Sequence, residues 1–344
     1  VSKLLTGYAV PCIISMLVTA LYNIVDQIFI GQGVGVLGNA ATNIAFPLST
    51  TCTAIALLLG IGGASNFSLE LGAGREDDAA KSAGNAITMM AIFGIALFLI
   101  VTIFLTPMLK FFGATDDVLP YAQTYTRITS IGFPFLIINT AISKLILADG
   151  SPKYSMTSML VGAVINTILD PIFIFVFDMG MAGAALATII GQIVSFCISV
   201  KYAFHFHHIK LTRKSFQLKF KFCRNIFALG SSACFNQIAM TVTQIVMNNV
   251  LSYYGARSVY GSEIPLACAG IIIKVNMIFM ALVIGISQGT QPIVGFNYGA
   301  KKYGRVKETY KLAVLSATII SIMAFLCFQI FPRQIISVFG NGSE

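Results

Sequence analysis

Charge is what this sequence has least of. Of 344 residues only 10% are Asp, Glu, Lys or Arg, against 56% hydrophobic, and the mean hydropathy is +0.84. Soluble domains carry roughly a quarter of their residues as charge, so this composition excludes that class and makes the chain a polytopic membrane protein. Histidine is scarce as well. His205, His207 and His208 share one loop and read better as a solvated tract than as a metal site. Seven cysteines (Cys12, Cys52, Cys197, Cys223, Cys234, Cys268, Cys327) lie scattered without metal-ligand spacing and read as packing residues. No signal peptide with a small-residue cleavage site is evident, and the missing initial Met implies a sequence that begins inside a longer chain. No nucleophile or acid–base constellation points to an enzyme, and no cofactor is expected. The glycine turn Leu71-Gly-Ala-Gly74-Arg-Glu-Asp77 lacks the Lys-Ser/Thr of a phosphate loop and reads as a helix cap. The net charge of +9 does not call for nucleic acid, because the placement of the basic residues explains it better.

Apolar runs long enough to cross a bilayer occur at about 8–31, 42–67, 86–107, 122–148, 156–177, 182–204, 225–252, 264–294 and 307–331. Nine transmembrane helices are therefore expected. The loops after the even-numbered runs hold Arg75, Lys81, Lys153, Lys210, Arg213, Lys214, Lys219, Lys221, Arg224, Lys301, Lys302, Arg305 and Lys307, whereas the alternate loops and ends hold only Lys110, Arg127, Arg257 and Arg333. By the positive-inside rule those basic loops and the N-terminus are cytoplasmic, in the cell membrane. The longest basic loop, 206–224, reads as a connector between an N-terminal six-helix bundle (1–205) and the first three helices of a second bundle (225–344), its charge a topology signal and a contact for lipid headgroups.

Internal repetition supports that division. Gly60 to Asp77 aligns without gaps on Gly285 to Lys302 at an offset of 225 (285 − 60), which also pairs Gly74 with Gly299 and Pro107 with Pro332. Parallel repeats of this kind build many transporters, with substrate handled between the halves. The repeats of the fourth to sixth helices would fall beyond Glu344, so about nine of twelve helices are expected in this chain.

Within the fifth run, Asn166 and Asp170 stand four residues apart on one helix face, and Pro171 cannot donate to the carbonyl of Thr167. An acid at membrane depth costs about 2.5–3.5 kcal/mol even on lenient scales and marks an ion or substrate pathway. The first run carries a polar stripe of Ser15, Thr19, Asn23 and Asp26, with Tyr22 and Gln27 beside it. The sixth has Thr188, Gln192, Ser195 and Ser199, and the seventh has Gln237, Thr241, Gln244 and Asn248; of these stripes Asn23, Gln27, Gln192, Gln237, Thr241, Gln244 and Asn248 are candidates to line a substrate cavity. Asp26 and Asp170 are the acids well inside apolar spans. Brought together in a dry site they repel, so they would share a proton or a cation, and oxygen ligands from Asp26, Asn166, Asp170 and Thr188 suit sodium. Aligning Asn23 with Gln244 puts Met247 opposite Asp26, which concentrates ion chemistry in the first half. Lys274 lies deep in the eighth run, and with Met277 and Met280 it is a candidate for a drug-accommodating cavity.

Ile24-Val-Asp26-Gln-Ile-Phe-Ile-Gly31, the Gly60–Gly74 block with its repeat, Leu147-Ala-Asp-Gly150-Ser-Pro-Lys153 and Asn166-x-x-x-Asp170-Pro171 together resemble the multidrug and toxic compound extrusion (MATE) family, and within it the MepA-like branch of the DinF-like group. The resemblance covers the whole chain. It implies an all-α polytopic membrane protein of twelve helices in two pseudo-symmetric bundles. It also implies alternating access, a monomer, and export of amphipathic, often cationic drugs or dyes against inward flow of protons or sodium. By the same resemblance the ion site would comprise Asp26, Asn166, Asp170 and Thr188, with Tyr125 and Asn139. A flippase for lipid-linked precursors or polysaccharides is the alternative, and would be expected to carry more cationic residues in its cavity.

Overall fold

The computed structural model describes residues 1–255, 257, 263–332 and 334; the side chains of Val36, Asn248, Asn249, Ser252, residues 263–271 and Lys274 lie outside the described set. Among the described residues there are helices and short turns and no strand. In order they are α1 (Ser2–Gly33), α2 (Val36–Gly72), α3 (Glu76–Ile103), the short α4 (Leu105–Phe111), α5 (Leu119–Ala148), α6 (Pro152–Pro171), α7 (Gly180–Ala203), α8 (Phe220–Gly255), α9 (Glu263–Gly299) and α10 (Tyr303–Ile330). Nine of them are long and apolar enough to cross a membrane. This chain is an all-α, multi-pass membrane protein.

Each membrane-length helix starts before the apolar run that announced it, because backbone hydrogen bonding continues past the hydrocarbon into the polar interface. Turns are consequently short: two residues at 34–35 and three at 73–75. The third run is interrupted at Phe104, so that Pro107 sits in the separate helix α4.

Helix α5 runs through the centre, packed by α2, α3, α6 and α7, with Ile137, Ala141, Ile142, Leu145 and Ile146 fully or almost fully buried. Helix α8 lies along α2, and α9 along α1 and α2. Small residues make these last contacts close. A Cβ on Gly62 would collide with the carbonyl oxygen of Ile226, one on Gly230 would collide with that of Leu58, and Gly285 and Gly289 face the backbones of Ile13 and Ala9 in the same way. All four contacts lie on the side of the molecule that holds the 206–219 connector, here called the connector side. Toward the opposite, far side, α8 is exposed at Phe235, Ile238, Met240, Val242, Ile245 and Val246. The helices are thus sealed on the connector side.

The repeat is present, but its register differs from the sequence alignment. Ala73, Gly74 and Arg75 donate to Leu69, Leu71 and Glu70, and Ala300, Lys301 and Lys302 donate to Phe296, Tyr298 and Asn297. Those identical caps are offset by 227 residues (300 − 73), and the starts of α3 and α10 (303 − 76) agree. The ungapped alignment matched glycine to glycine at 225, whereas the fold matches left-handed turn positions, Gly74 (φ 74°) with Lys301 (φ 58°). The seam gives a separate register for α1 and α8. Gly230 rests on Leu58 as Gly285 rests on Ile13, an offset of 217 (230 − 13), which places Thr243 rather than Met247 opposite Asp26. Neither is an acid.

Candidate functional site

Asp170 is the last residue but one of α6 and is completely buried. The helix does not stop at Pro171. Having no N–H to offer Thr167, the proline ends the α-type ladder, and Ile172–Val176 continue as a single wide π turn closed by Phe177 donating to the carbonyl of Ile172 at 3.0 Å. Just before that turn, the Asp170 carboxyl faces Asp26 of α1 and its own-helix neighbour Asn166.

Four elements converge there. Asn166, one turn before Asp170, directs its Nδ2 at Asp170 Oδ1 (3.5 Å) and at Thr188 Oγ1 of α7 (3.4 Å), while Thr188 donates to the carbonyl of Ala184 (3.0 Å). From α1, Asp26 faces Asp170 closely enough for the two carboxyls to interact, and Tyr22 of α1 and Tyr125 of α5 stand within electrostatic range of both. Asp26 Oδ1, Asp170 Oδ2, Asn166 Oδ1 and, one turn beyond Thr188, Gln192 Oε1 are buried without a hydrogen-bond partner. All four are acceptors. A buried acceptor left unpaired costs about 1–3 kcal/mol, and two facing carboxylates add repulsion. One proton carried between the carboxyls, or one hard cation among the oxygens, relieves both. This donor set therefore fits sodium as well as a proton.

The structure brings together Asp26, Asn166, Asp170, Thr188 and Tyr125, and separates Asn139 from them. Asn139 is 14 residues from Tyr125 on the same helix, roughly 21 Å along its axis. There it accepts from Ser199 (2.7 Å), whose hydroxyl meets Ser158 (2.9 Å), and Ser195 donates to the Ser158 carbonyl (2.8 Å). That hydroxyl ladder ties α5, α6 and α7 together. Of the cavity candidates, Asn23 and Gln27 are exposed beside Asp26, with the Asn23 amide already donating to the Thr19 carbonyl (2.8 Å). Gln237, Thr241 and Gln244 are half-buried on α8, and Met277 and Met280 are exposed and half-buried on α9. The side chains of Asn248 and Lys274 lie outside the described residues. A shallow groove of about 410 Å³ on α10, lined by Val314, Thr318 and Phe325 among others, is remote from these groups.

Sequence reasoning missed a second polar centre. Lys144 of α5 is only 6% exposed, and its Nζ donates to Gln288 Oε1 of α9 at 2.7 Å, across the seam. Gln291 spans the same seam to Ser65 Oγ (2.7 Å) and to the carbonyl of Ile61 (3.2 Å). A lone cation in the run Ala141-Ile-Ser-Lys144-Leu-Ile-Leu was the available signal. The histidine tract is likewise more than a solvated loop. Its side chains are exposed, but buried Asp149 accepts from the backbone N–H groups of His207 (2.7 Å) and His208 (3.2 Å) and from the Tyr202 hydroxyl (2.8 Å). Among the described residues no three His, Cys, Asp or Glu side chains cluster as a metal site.

Comparison with known proteins adds lineage to this geometry. A family model described as MatE matches residues 11–172 and 232–344. The multidrug export protein MepA of Staphylococcus aureus strain MSSA476 is 27% identical over 354 aligned positions, covering 100% of this chain and 75% of its own. That of Staphylococcus saprophyticus is 27% identical over 353, covering 100% and 74%. Among solved structures, the MATE multidrug transporter DinF-BH is 35% identical with a TM-score of 0.89, over 98% of this chain and 75% of that one. An outward-facing multidrug resistance MATE transporter of the MOP superfamily shares the fold at a TM-score of 0.90 and 23% identity, over 99% and 74%.

Proposed function

Because this chain belongs to the MatE family, we propose that it exports amphipathic, often cationic drugs or dyes from the cell in exchange for protons or sodium. The observation that carries the reading is the pair of buried Asp170 and half-buried Asp26, with unpartnered buried acceptor oxygens around it. A site of this kind holds one positive charge and is unstable without it, so binding and release of that charge can be tied to a change of shape. The relatives named for multidrug export support the substrate class.

In this reading the connector side is cytoplasmic, the N-terminus with it, and the seam of α1, α2, α8 and α9 is the cytoplasmic gate. Export follows alternating access between two halves of the molecule. With the seam closed, drug leaves toward the far side; a proton or sodium ion then occupies Asp26 and Asp170 from outside. Occupation removes the repulsion between the carboxyls and lets α1 and α6 approach. Resetting requires the seam to part, which admits the next drug molecule and releases the ion inward. Asn23, Gln27, Gln237, Thr241 and Gln244 offer hydrogen bonds to the transported compound, and Met277 and Met280 offer adaptable apolar contact.

Dye efflux from membrane vesicles, driven in turn by an imposed proton gradient and an imposed sodium gradient, tests this. Export driven by one gradient and lost in Asp170→Asn identifies the ion and its site. Failure of both gradients to move dye would overturn the exporter reading in favour of a flippase.

A further inference from the structure

The connector between α7 and α8 is held at a defined depth. Asn85 of α3 donates through Nδ2 to the carbonyls of Ser215 (3.2 Å) and Gln217 (3.0 Å) and accepts from the N–H of Lys219 (2.7 Å). Thr88 donates to the carbonyl of Phe216 (3.0 Å), and Gly84 comes so close that a Cβ there would overlap the Ser215 carbonyl. The depth follows from α3 itself. After Lys81 it has 22 residues without a charge, 82–103, about 33 Å of helix, which is close to the hydrocarbon thickness of a bilayer. Asn85 and Thr88 therefore mark the edge of the hydrocarbon, and the backbone of 215–219 is pinned there.

What that backbone presents outward is unusual for a loop in water. Phe216 is 39% exposed, Leu218 49% and Phe220 82%, interleaved with exposed Arg213, Lys214, Lys219 and Lys221. No Asp or Glu occurs between Asp178 and Glu263, and the nearest acids on α3 (Glu76, Asp77 and Asp78) stand two to three turns further toward water, with Asp78 paired to Lys81 at 3.1 Å. Apolar side chains at the hydrocarbon edge with cations beside them suit one partner, a leaflet of anionic phospholipid.

We propose that residues 213–221 are an anionic-lipid anchor. Phe216, Leu218 and Phe220 enter the acyl edge of the leaflet on the connector side, and Arg213, Lys214, Lys219 and Lys221 take the phosphates of its headgroups. Fastened to α3 by Asn85 and leading directly into α8, the anchor ties the junction of the two halves to the membrane surface.

None of these 344 residues is a tryptophan, so Phe220→Trp adds one indole here as a reporter, read as the difference from the parent protein. The protein carrying it is reconstituted in liposomes, and its emission is read with acyl-brominated phosphatidylcholine, with acyl-brominated phosphatidylglycerol and with aqueous acrylamide. Blue-shifted emission quenched by brominated chains is expected, with phosphatidylglycerol effective at roughly a fivefold lower mole fraction than phosphatidylcholine. Adding Arg213→Gln, Lys214→Gln, Lys219→Gln and Lys221→Gln should remove that preference and leave quenching by phosphatidylcholine in place. Quenching by acrylamide alone would overturn the proposal, because the segment would then be in water. Quenching by neither agent would also overturn it, since protein would then cover the surface. Equal quenching by both lipids would overturn the anionic part.

Discussion

At the scale of single residues, the carboxyl pair and the seam lysine pose opposite problems. Buried Asp170 and half-buried Asp26 are two facing acids, whose repulsion when both are ionised a positive charge resolves; Lys144 is a buried cation whose partner is a neutral amide. Asp170→Asn keeps the shape and removes the charge that must be balanced. Gradient-driven efflux should fall by at least tenfold in this variant while its thermal unfolding midpoint holds or rises, read by an efflux assay beside a melting curve. For Lys144 two effects compete. Its hydrogen bond to Gln288 is worth about 1.5–3 kcal/mol, whereas burying an ammonium without an acid costs several kcal/mol, so the desolvation term wins. Lys144→Met should therefore tighten the seam. Cys12 is a natural reporter, a buried thiol of α1 within electrostatic range of Lys144. Its labelling by a hydrophilic maleimide, followed by mass spectrometry, should slow about threefold or more in Lys144→Met, with slower transport. Faster labelling would mean that the bond, not the burial, dominates.

The aspartates were legible in the sequence because an acid inside an apolar run has few innocent explanations, and Asn166 because a spacing of four stacks it on Asp170. Lys144 was overlooked for a physical reason: near a helix end a lysine stem can carry its charge to water, and only the packing of α9 against α5 shows that this one does not. Asn139 lies on the same helix as Tyr125, but 14 residues of α-helix carried it to a different layer.

At the scale of elements, the π turn after Pro171 and the glycine seam are two places where local geometry bears on transport. Pro171→Ala would return an N–H to the ladder and favour a continuous α-helix through 172–176. The expected result is a raised melting temperature with efflux reduced several-fold, because the Asp170 carboxyl rotates away from α1. Unchanged efflux would show that the turn does not set the carboxyl direction. Gly62→Ala drives a methyl group into the Ile226 carbonyl oxygen, so α2 and α8 must separate. Overpacking of this kind costs about 1–3 kcal/mol. The seam should then stay partly open, and Cys12 labelling should rise where Lys144→Met lowers it. Opposite responses in the two variants are the measurement of interest.

The nine membrane-crossing helices were readable from hydropathy alone, since a bilayer imposes a length of about twenty apolar residues on any helix that crosses it. The register of the repeat was not. Glycines recur for more than one reason, at turns and at close contacts, and an ungapped match cannot tell Gly299, which ends α9, from the position that takes the left-handed turn, Lys301.

At the scale of the whole molecule, the fastening of the connector is the feature that the sequence concealed most completely. Its composition read as a basic loop, while Asn85 and Asp149, more than 50 residues away in sequence, hold it in place. Asn85→Ala leaves the Ser215 and Gln217 carbonyls and the Lys219 N–H without their partner, a loss of about 1–3 kcal/mol. Brief exposure to trypsin should then cut after Lys214 or Lys219 in Asn85→Ala, and leave the parent protein intact there.

The same fastening limits how the halves can move. Lys219 is bound to α3 and Phe220 already belongs to α8, so no slack remains between them. The fastening at its base favours one motion of helix α8 over the others, a swing about that base, as a lever on a fulcrum. With 36 residues its arm is roughly 54 Å, so a tilt of about 10° at the fulcrum sweeps its far tip through about 9 Å. A motion too small to disturb the bonds at Asn85 is thus large enough at the other end to open or close a passage the width of a drug.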